Sequence, residues 1–152
     1  MGVPTTIVVH KSVVRSVVKK TVCNDRIIAL KLKAKPVSIL IIQVYMPTSE
    51  YEDDEVEKMY DTIEEILEED GTGDTNAIIL GDWNSVVRDE TYRNIVGSHG
   101  LGRRNHRGQM LIDVCERNGW LSPTHGSRSQ KEDCTHGRHL ETEVDISWTT
   151  YL

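Results

Sequence analysis

A carboxylate and a carboxamide stand two residues apart at Asp82 and Asn84, within Ala77-Ile78-Ile79-Leu80-Gly81-Asp82-Trp83-Asn84-Ser85. The apolar run before them reads as a buried strand. Gly81 lets the backbone turn at the strand end. Alternation along an extended segment sets Asp82 and Asn84 on one side. A proton acceptor beside an uncharged donor suits phosphate and metal chemistry. Gly, Asp and Asn are also ordinary turn residues, so these positions alone leave both readings open.

The elements that must position this pair follow from periodicity. Pro36–Tyr45 is a second apolar strand, ending in Tyr45-Met46-Pro47-Thr48. Thr5–His10 and Ser12–Val18 are rich in β-branched residues and read as strands. Arg26–Lys33 is another strand, joined to the next through Lys33-Ala34-Lys35-Pro36, so the first third is an antiparallel meander. Ser49–Asp70 is helical, with Val56, Met59, Tyr60, Ile63, Ile66 and Leu67 on one face and acids on the other. Its first-turn acids suit the helix N-terminus. Glu68, Glu69 and Asp70 oppose the dipole at the other end, so fraying is expected there. Strand 76–82 follows, and strand–helix–strand favours parallel pairing. Residues 88–108 form a long polar loop. Gln109–Asn118 is a second helix burying Met110, Leu111, Val114 and Cys115, and Glu143–Trp148 alternates as a last strand. The sequence holds neither repeats nor an interdomain linker.

A chain of 152 residues fits one domain and is long enough to bury a core. The net charge of -6 is unevenly distributed: acids crowd residues 50–70, whereas Arg93, Arg103, Arg104 and Arg107 lie in an acid-free stretch from Thr91 to Ile112. Cys23, Cys115 and Cys134 are too scattered for a disulfide scaffold. Cys134, His136 and His139 lack the second cysteine pair of a zinc site. No signal-peptide core and no run of membrane-spanning length occurs, which predicts an intracellular protein, nuclear or cytoplasmic, with no membrane partner. Oligomeric state is left open.

Four motifs fall in register: Val44-Tyr45-Met46-Pro47, Gly81-Asp82-Trp83-Asn84-Ser85, Gly100-Leu101-Gly102-Arg103-Arg104-Asn105-His106-Arg107-Gly108, and Glu143-Val144-Asp145-Ile146. In order and spacing they resemble the endonuclease/exonuclease/phosphatase superfamily. Within it they are most similar to the apurinic-type endonuclease domain of non-LTR retrotransposons and the craniofacial-development-protein-like genes related to it. The chain holds no Phe, and Trp83 stands where that family often has Phe. The resemblance runs from about Gly2 to Ile146 and implies a partial four-layer α/β sandwich of mixed β-sheets flanked by helices. It implies a single, truncated domain over 1–152. The family's opening asparagine, its metal-binding glutamate and its closing Asp-His segment have no counterpart here.

The resemblance also implies roles. Asp82 orients or deprotonates the attacking water, and Asn84 binds a phosphate oxygen. Tyr45 donates its hydroxyl to the scissile phosphate, unless it is only a strand-end aromatic packed on the core. Asp145 orients a catalytic histidine. Arg103, Arg104 and Arg107 contact DNA phosphates, or else pair with local acids. Magnesium is the family's cofactor, yet its main ligands are absent and no metal ligand is assigned. The expected activity is Mg-dependent, DNA-nicking phosphodiester hydrolysis, incomplete in this chain. The alternatives are a non-catalytic remnant with weak nucleic-acid binding, or a phosphatase branch of the same superfamily. Tyr45, Asp82 and Asn84 are expected at one rim with Asp145 nearby, and missing opening strands are expected to leave sheet edges and apolar faces uncovered.

Overall fold

Alternation between buried and half-exposed residues marks the central strands. The computed structural model describes residues 5–87 and 103–120 and the backbone of the strand at 142–145. The strands are β1 (Val17–Asn24), β2 (Ile27–Leu32), β3 (Ser38–Tyr45), β4 (Thr75–Asp82) and β5 (Thr142–Asp145). The helices are α1 (Asp53–Asp70) and α2 (His106–Asn118), with a 3-10 turn at Val14–Ser16. All five strands form one mixed sheet in the order β1-β2-β3-β4-β5. β1, β2 and β3 are antiparallel neighbours; β3, β4 and β5 run parallel. The α/β class, the meander and the parallel crossover through α1 all follow the sequence pattern.

One face of the sheet is apolar and closed. Ile27 and Ala29 on β2, Leu40, Ile42 and Val44 on β3, and Ala77 and Ile79 on β4 are at most 1% exposed. They share a core with Val56, Ile63 and Ile66 of α1 and Leu111 and Ile112 of α2. Each buried Ile or Leu contributes about 1.5–3 kcal/mol, so this seam is what joins both helices to the sheet. The opposite face is half-buried at Ile28, Ile39, Ile41, Ile78 and Leu80. β1 forms an edge, with Val18 and Val22 more than half exposed.

Several expectations need correction. Thr5–His10 is not a strand: its backbone bond runs from the Thr5 N–H to the Asp25 carbonyl, and no ladder forms. Ser12–Val18 is a turn, a 3-10 turn and only then the start of β1. There β-branching gave the wrong answer because the turn bonds Val13 N–H to His10 O and Ser16 N–H to Val13 O hold the segment. At the end of α1, where fraying is expected, the acids Glu69 and Asp70 have partners from the sheet. Lys19 Nζ bonds Glu69 Oε1 at 2.8 Å and Asp70 Oδ1 at 2.7 Å, and Lys31 Nζ donates to the Asp70 carbonyl at 2.8 Å. The sheet thus supplies the cations that a helix C-terminus favours, and Asp70 is buried among them. α2 begins at His106, three residues before the expected start. The loop at 88–102, the polar stretch 121–141 with Cys134, His136 and His139, and residues 146–152 lie outside the described residues.

Cys115 tests the closed seam. It is 2% exposed, and burial pushes its thiol up to about 12 from the usual 9.0. The unfolded chain therefore releases this proton at lower pH than the native chain. The thiol's contribution is full below about pH 9 and is lost as pH rises toward about 12. In native protein at about pH 8, maleimide should modify exposed Cys23 and spare Cys115 until denaturant is added. Peptide mass mapping reads the difference; rapid native labelling of Cys115 would mean that the helix–sheet seam is open.

Candidate functional site

Tyr45 and Asp82 are direct partners in the parallel ladder, at the ends of β3 and β4. The Met46 N–H donates to the Asp82 carbonyl at 2.8 Å, so the pairing continues one residue beyond the strands. β5 enters the same sheet with Asp145 opposite Leu80, two residues before Asp82 on β4. The C-terminal ends of all three parallel strands therefore share one rim, the place where open α/β sheets commonly bind ligands. Ile79 faces the helices, and alternation turns Leu80 and Asp82 to the other face, where Asp82 is exposed.

Gly81 is required at the strand end. Its φ is +147°, and a Cβ there would lie 1.9 Å from the Val44 carbonyl oxygen. Asp82 Oδ1 accepts the Asn84 backbone N–H at 2.9 Å, an Asx turn. Asn84 sits in the left-handed region at φ +45°, which Asn tolerates better than most residues. Its Nδ2 donates to the Met46 carbonyl at 2.6 Å, tying the loop after β4 to the loop after β3. One amide hydrogen is used this way and the second is left to donate. Between them, Trp83 turns inward, buried and stacked on Tyr60 with ring centres 6.3 Å apart.

The glycine- and arginine-rich motif holds this loop in place. Asn105 caps α2: its Oδ1 accepts Gly108 N–H at 2.8 Å and also Val86 N–H at 3.0 Å. Its own N–H donates to the Val86 carbonyl at 3.1 Å. A Cβ on Gly108 would lie 2.0 Å from that same carbonyl, so only glycine allows the approach. Arg107 is buried, bonds Asp53 Oδ1 at 2.6 Å and donates to the Tyr51 carbonyl, fastening α2 to the start of α1. His106 bonds the other Asp53 oxygen at 2.8 Å and holds that carboxyl below its usual range. Arg104 is half-buried and donates to the Val87 carbonyl at 3.2 Å and to Gln109 Oε1 at 3.0 Å. Arg103 alone of the three is exposed.

Arg26, in the turn between β1 and β2, is a rim residue that the sequence reading passed over. Its carbonyl accepts the Tyr45 N–H at 2.9 Å. Its guanidinium carbon lies 5.6 Å from the centre of the Tyr45 ring and 4.9 Å from that of Tyr51. The meander held the signal: an antiparallel β2–β3 pair brings the start of β2 to the end of β3.

Among the described residues no group of three His, Cys, Asp or Glu side chains could hold a metal ion. These residues do not fit a magnesium site. Among the described side chains the rim offers the exposed carboxylate of Asp82, the amide of Asn84 and the phenol of Tyr45, which can bind and orient a phosphate ester and accept a proton from water.

The contrast among the arginine-motif residues can be measured. Asn105→Ala removes the acceptor of two backbone N–H groups and should cost about 1–2 kcal/mol. Arg107→Ala should cost about as much by stripping the Asp53 and Tyr51 contacts. Both variants are expected to melt several degrees lower, and Arg103→Ala within about a degree of the parent. An unchanged melting temperature for Arg107→Ala would remove its fastening role.

Comparison with known proteins agrees in part with the motifs. No family model matches the chain, and no solved structure does. Over 112 residues the chain is 36% identical to craniofacial development protein 2 of Tragulus javanicus, and over 112 residues 35% identical to that of Bos taurus. Each match covers 74% of this chain and 19% of the relative, so the chain spans about a fifth of the length of the curated relatives it matches. Among the described residues no helix is long and apolar enough to cross a membrane. The chain is thus partly homologous to one region of craniofacial development protein 2.

Proposed function

We propose that residues 1–152 form a single domain of the endonuclease/exonuclease/phosphatase type, part of its four-layer sandwich, that engages nucleic-acid phosphates and descends from a DNA-nicking phosphodiesterase. The observation that carries this reading is the ladder pairing of Tyr45 with Asp82 at the parallel-strand rim, with Asn84 fixed two residues on. The partial match to craniofacial development protein 2 supports it. Asp82 has one oxygen held by the Asn84 N–H; the other can accept a proton from, or orient, a water. The spare amide hydrogen of Asn84 and the Tyr45 hydroxyl donate to phosphate oxygens, adding no charge. Asp145 serves as the orienting carboxylate for an imidazole. Arg103, exposed beside the loop, makes the outer phosphate contact; Arg104 and Arg107 act mainly by holding that loop.

Magnesium is the metal such chemistry uses, but no step is assigned to it, since the described residues offer no fitting ligand set. The isolated chain is proposed to bind without cleaving. With magnesium present, plasmid nicking by the chain is expected to equal that of Asp82→Ala. Metal-dependent nicking that Asp82→Ala abolishes would overturn the non-cleaving assignment.

DNA binding itself is expected to be weak, indifferent to sequence and salt-dependent. With about two phosphate contacts, affinity should fall about tenfold over a fourfold rise in salt. Arg103→Ala should bind more weakly and with a shallower slope. If parent and Arg103→Ala bind alike at every salt concentration, the outer contact is wrong. If the parent binds no DNA at low salt, the nucleic-acid reading fails.

A further inference from the structure

Arg26 differs from the other described arginines of the rim in how its guanidinium is used. Arg107 is buried against Asp53 and the Tyr51 carbonyl, and Arg104 is bonded to Val87 and Gln109. Arg26 is half-buried, and its guanidinium lies against two aromatic rings, Tyr45 and Tyr51. Among the described residues no carboxylate pairs with it and none of its guanidinium N–H groups has an acceptor. Rings hold a guanidinium through its π face, and hydrogen bonds leave it through its edge. A planar cation steadied by aromatic contacts, with its edge donors unmatched, is shaped for a paired-oxygen anion. Partial burial strengthens that attraction relative to a fully solvated cation.

Its position in the fold brings Arg26 to the candidate site. The Tyr45 backbone N–H bonds the Arg26 carbonyl, and Tyr45 is the ladder partner of Asp82. The turn that carries Arg26 is therefore bonded directly to the strand end that carries the candidate phosphate donor. Tyr51, the second ring, is 40% exposed and lies just ahead of α1, with its carbonyl held by Arg107. The segment presenting it is fastened by the same buried arginine that fixes α2.

We infer that Arg26, braced by Tyr45 and Tyr51, is a phosphate-binding residue of the rim that grips two oxygens of a phosphate group neighbouring the one at Asp82. The inference rests on the nucleic-acid reading for the source of that phosphate, but the anion site itself does not depend on it. Its chemistry is charge-assisted and bidentate, which lysine cannot reproduce.

The test is the Nε–Hε resonance of Arg26 in the full chain, assigned by its loss in Arg26→Lys. It is followed while inorganic phosphate or a short oligothymidylate is added, with sodium chloride at matched ionic strength as control. A saturable shift with both ligands, and none with chloride, is the expected result. In parallel, Arg26→Lys should bind the oligonucleotide about tenfold more weakly while keeping its salt slope, because charge is retained and the fork is lost. Tyr51→Leu should weaken binding severalfold with the melting temperature nearly unchanged. A shift with phosphate alone upholds the anion site and rejects nucleic acid as its ligand. No shift with either ligand, or Arg26→Lys matching the parent in affinity, overturns the inference.

Discussion

The side-chain oxygen of Asn105 accepts backbone N–H groups from two segments far apart in sequence, Gly108 in the first turn of α2 and Val86 in the loop after Asp82. An unmatched helix N-terminus and an unmatched loop amide would each cost desolvation energy, and one carboxamide satisfies both. The reciprocal bond from Asn105 N–H to Val86 O closes the join. Everything at the rim is referred to this point. The Asp82–Asn84 turn ends where Val86 is gripped, Trp83 is wedged onto Tyr60 of α1, and Gly108 allows the two backbones to meet. A loop carrying polar groups at a sheet end is thereby given the rigidity of a helix terminus.

A second constraint is electrostatic and lies along α1. The helix carries acids at both ends, and the protein treats the two ends differently. At the start, Asp53 takes both His106 and Arg107 from α2. At the finish, where negative charge is unfavourable, lysines reach over from β1 and β2. Farther along, Arg117 and Asn118 of α2 share Glu64. The acidic helix is thus docked by cations from the sheet and from α2, in addition to its apolar stripe.

Strong periodicity made the central elements legible. β3 and β4 alternate over enough apolar residues that burial dictates their faces, and α1 repeats its stripe over several turns. Tyr45 and Asp82 were legible because each ends such a strand. What could not be read depended on partners distant in sequence. The β-branched start of the chain has strand propensity, but its backbone bonds go to turns instead. Arg107 sits in a polar stretch that looks solvated, yet Asp53 and the Tyr51 carbonyl draw it inside. The acids at the end of α1 are unfavourable by local rules, and Lys19, about fifty residues away, pairs with Glu69 and Asp70. Arg26 gave no motif at all. Its meaning comes from strand register, which turns a residue in a tight turn into a neighbour of Tyr45.

The strands lie side by side in the order in which they occur along the chain. During vectorial synthesis each strand leaving the ribosome meets an open edge belonging to its immediate predecessor, so no strand must be inserted between two already paired. α1 is made between β3 and β4 and can cover their growing apolar face before the next strand arrives. The exception is β5. From Asp82 to Thr142 about sixty residues must be made before β5 can pair. Of the edges that become paired within the sheet, that of β4, and with it the rim at Asp82, therefore waits longest for its partner, open meanwhile to chaperones and to stray strands.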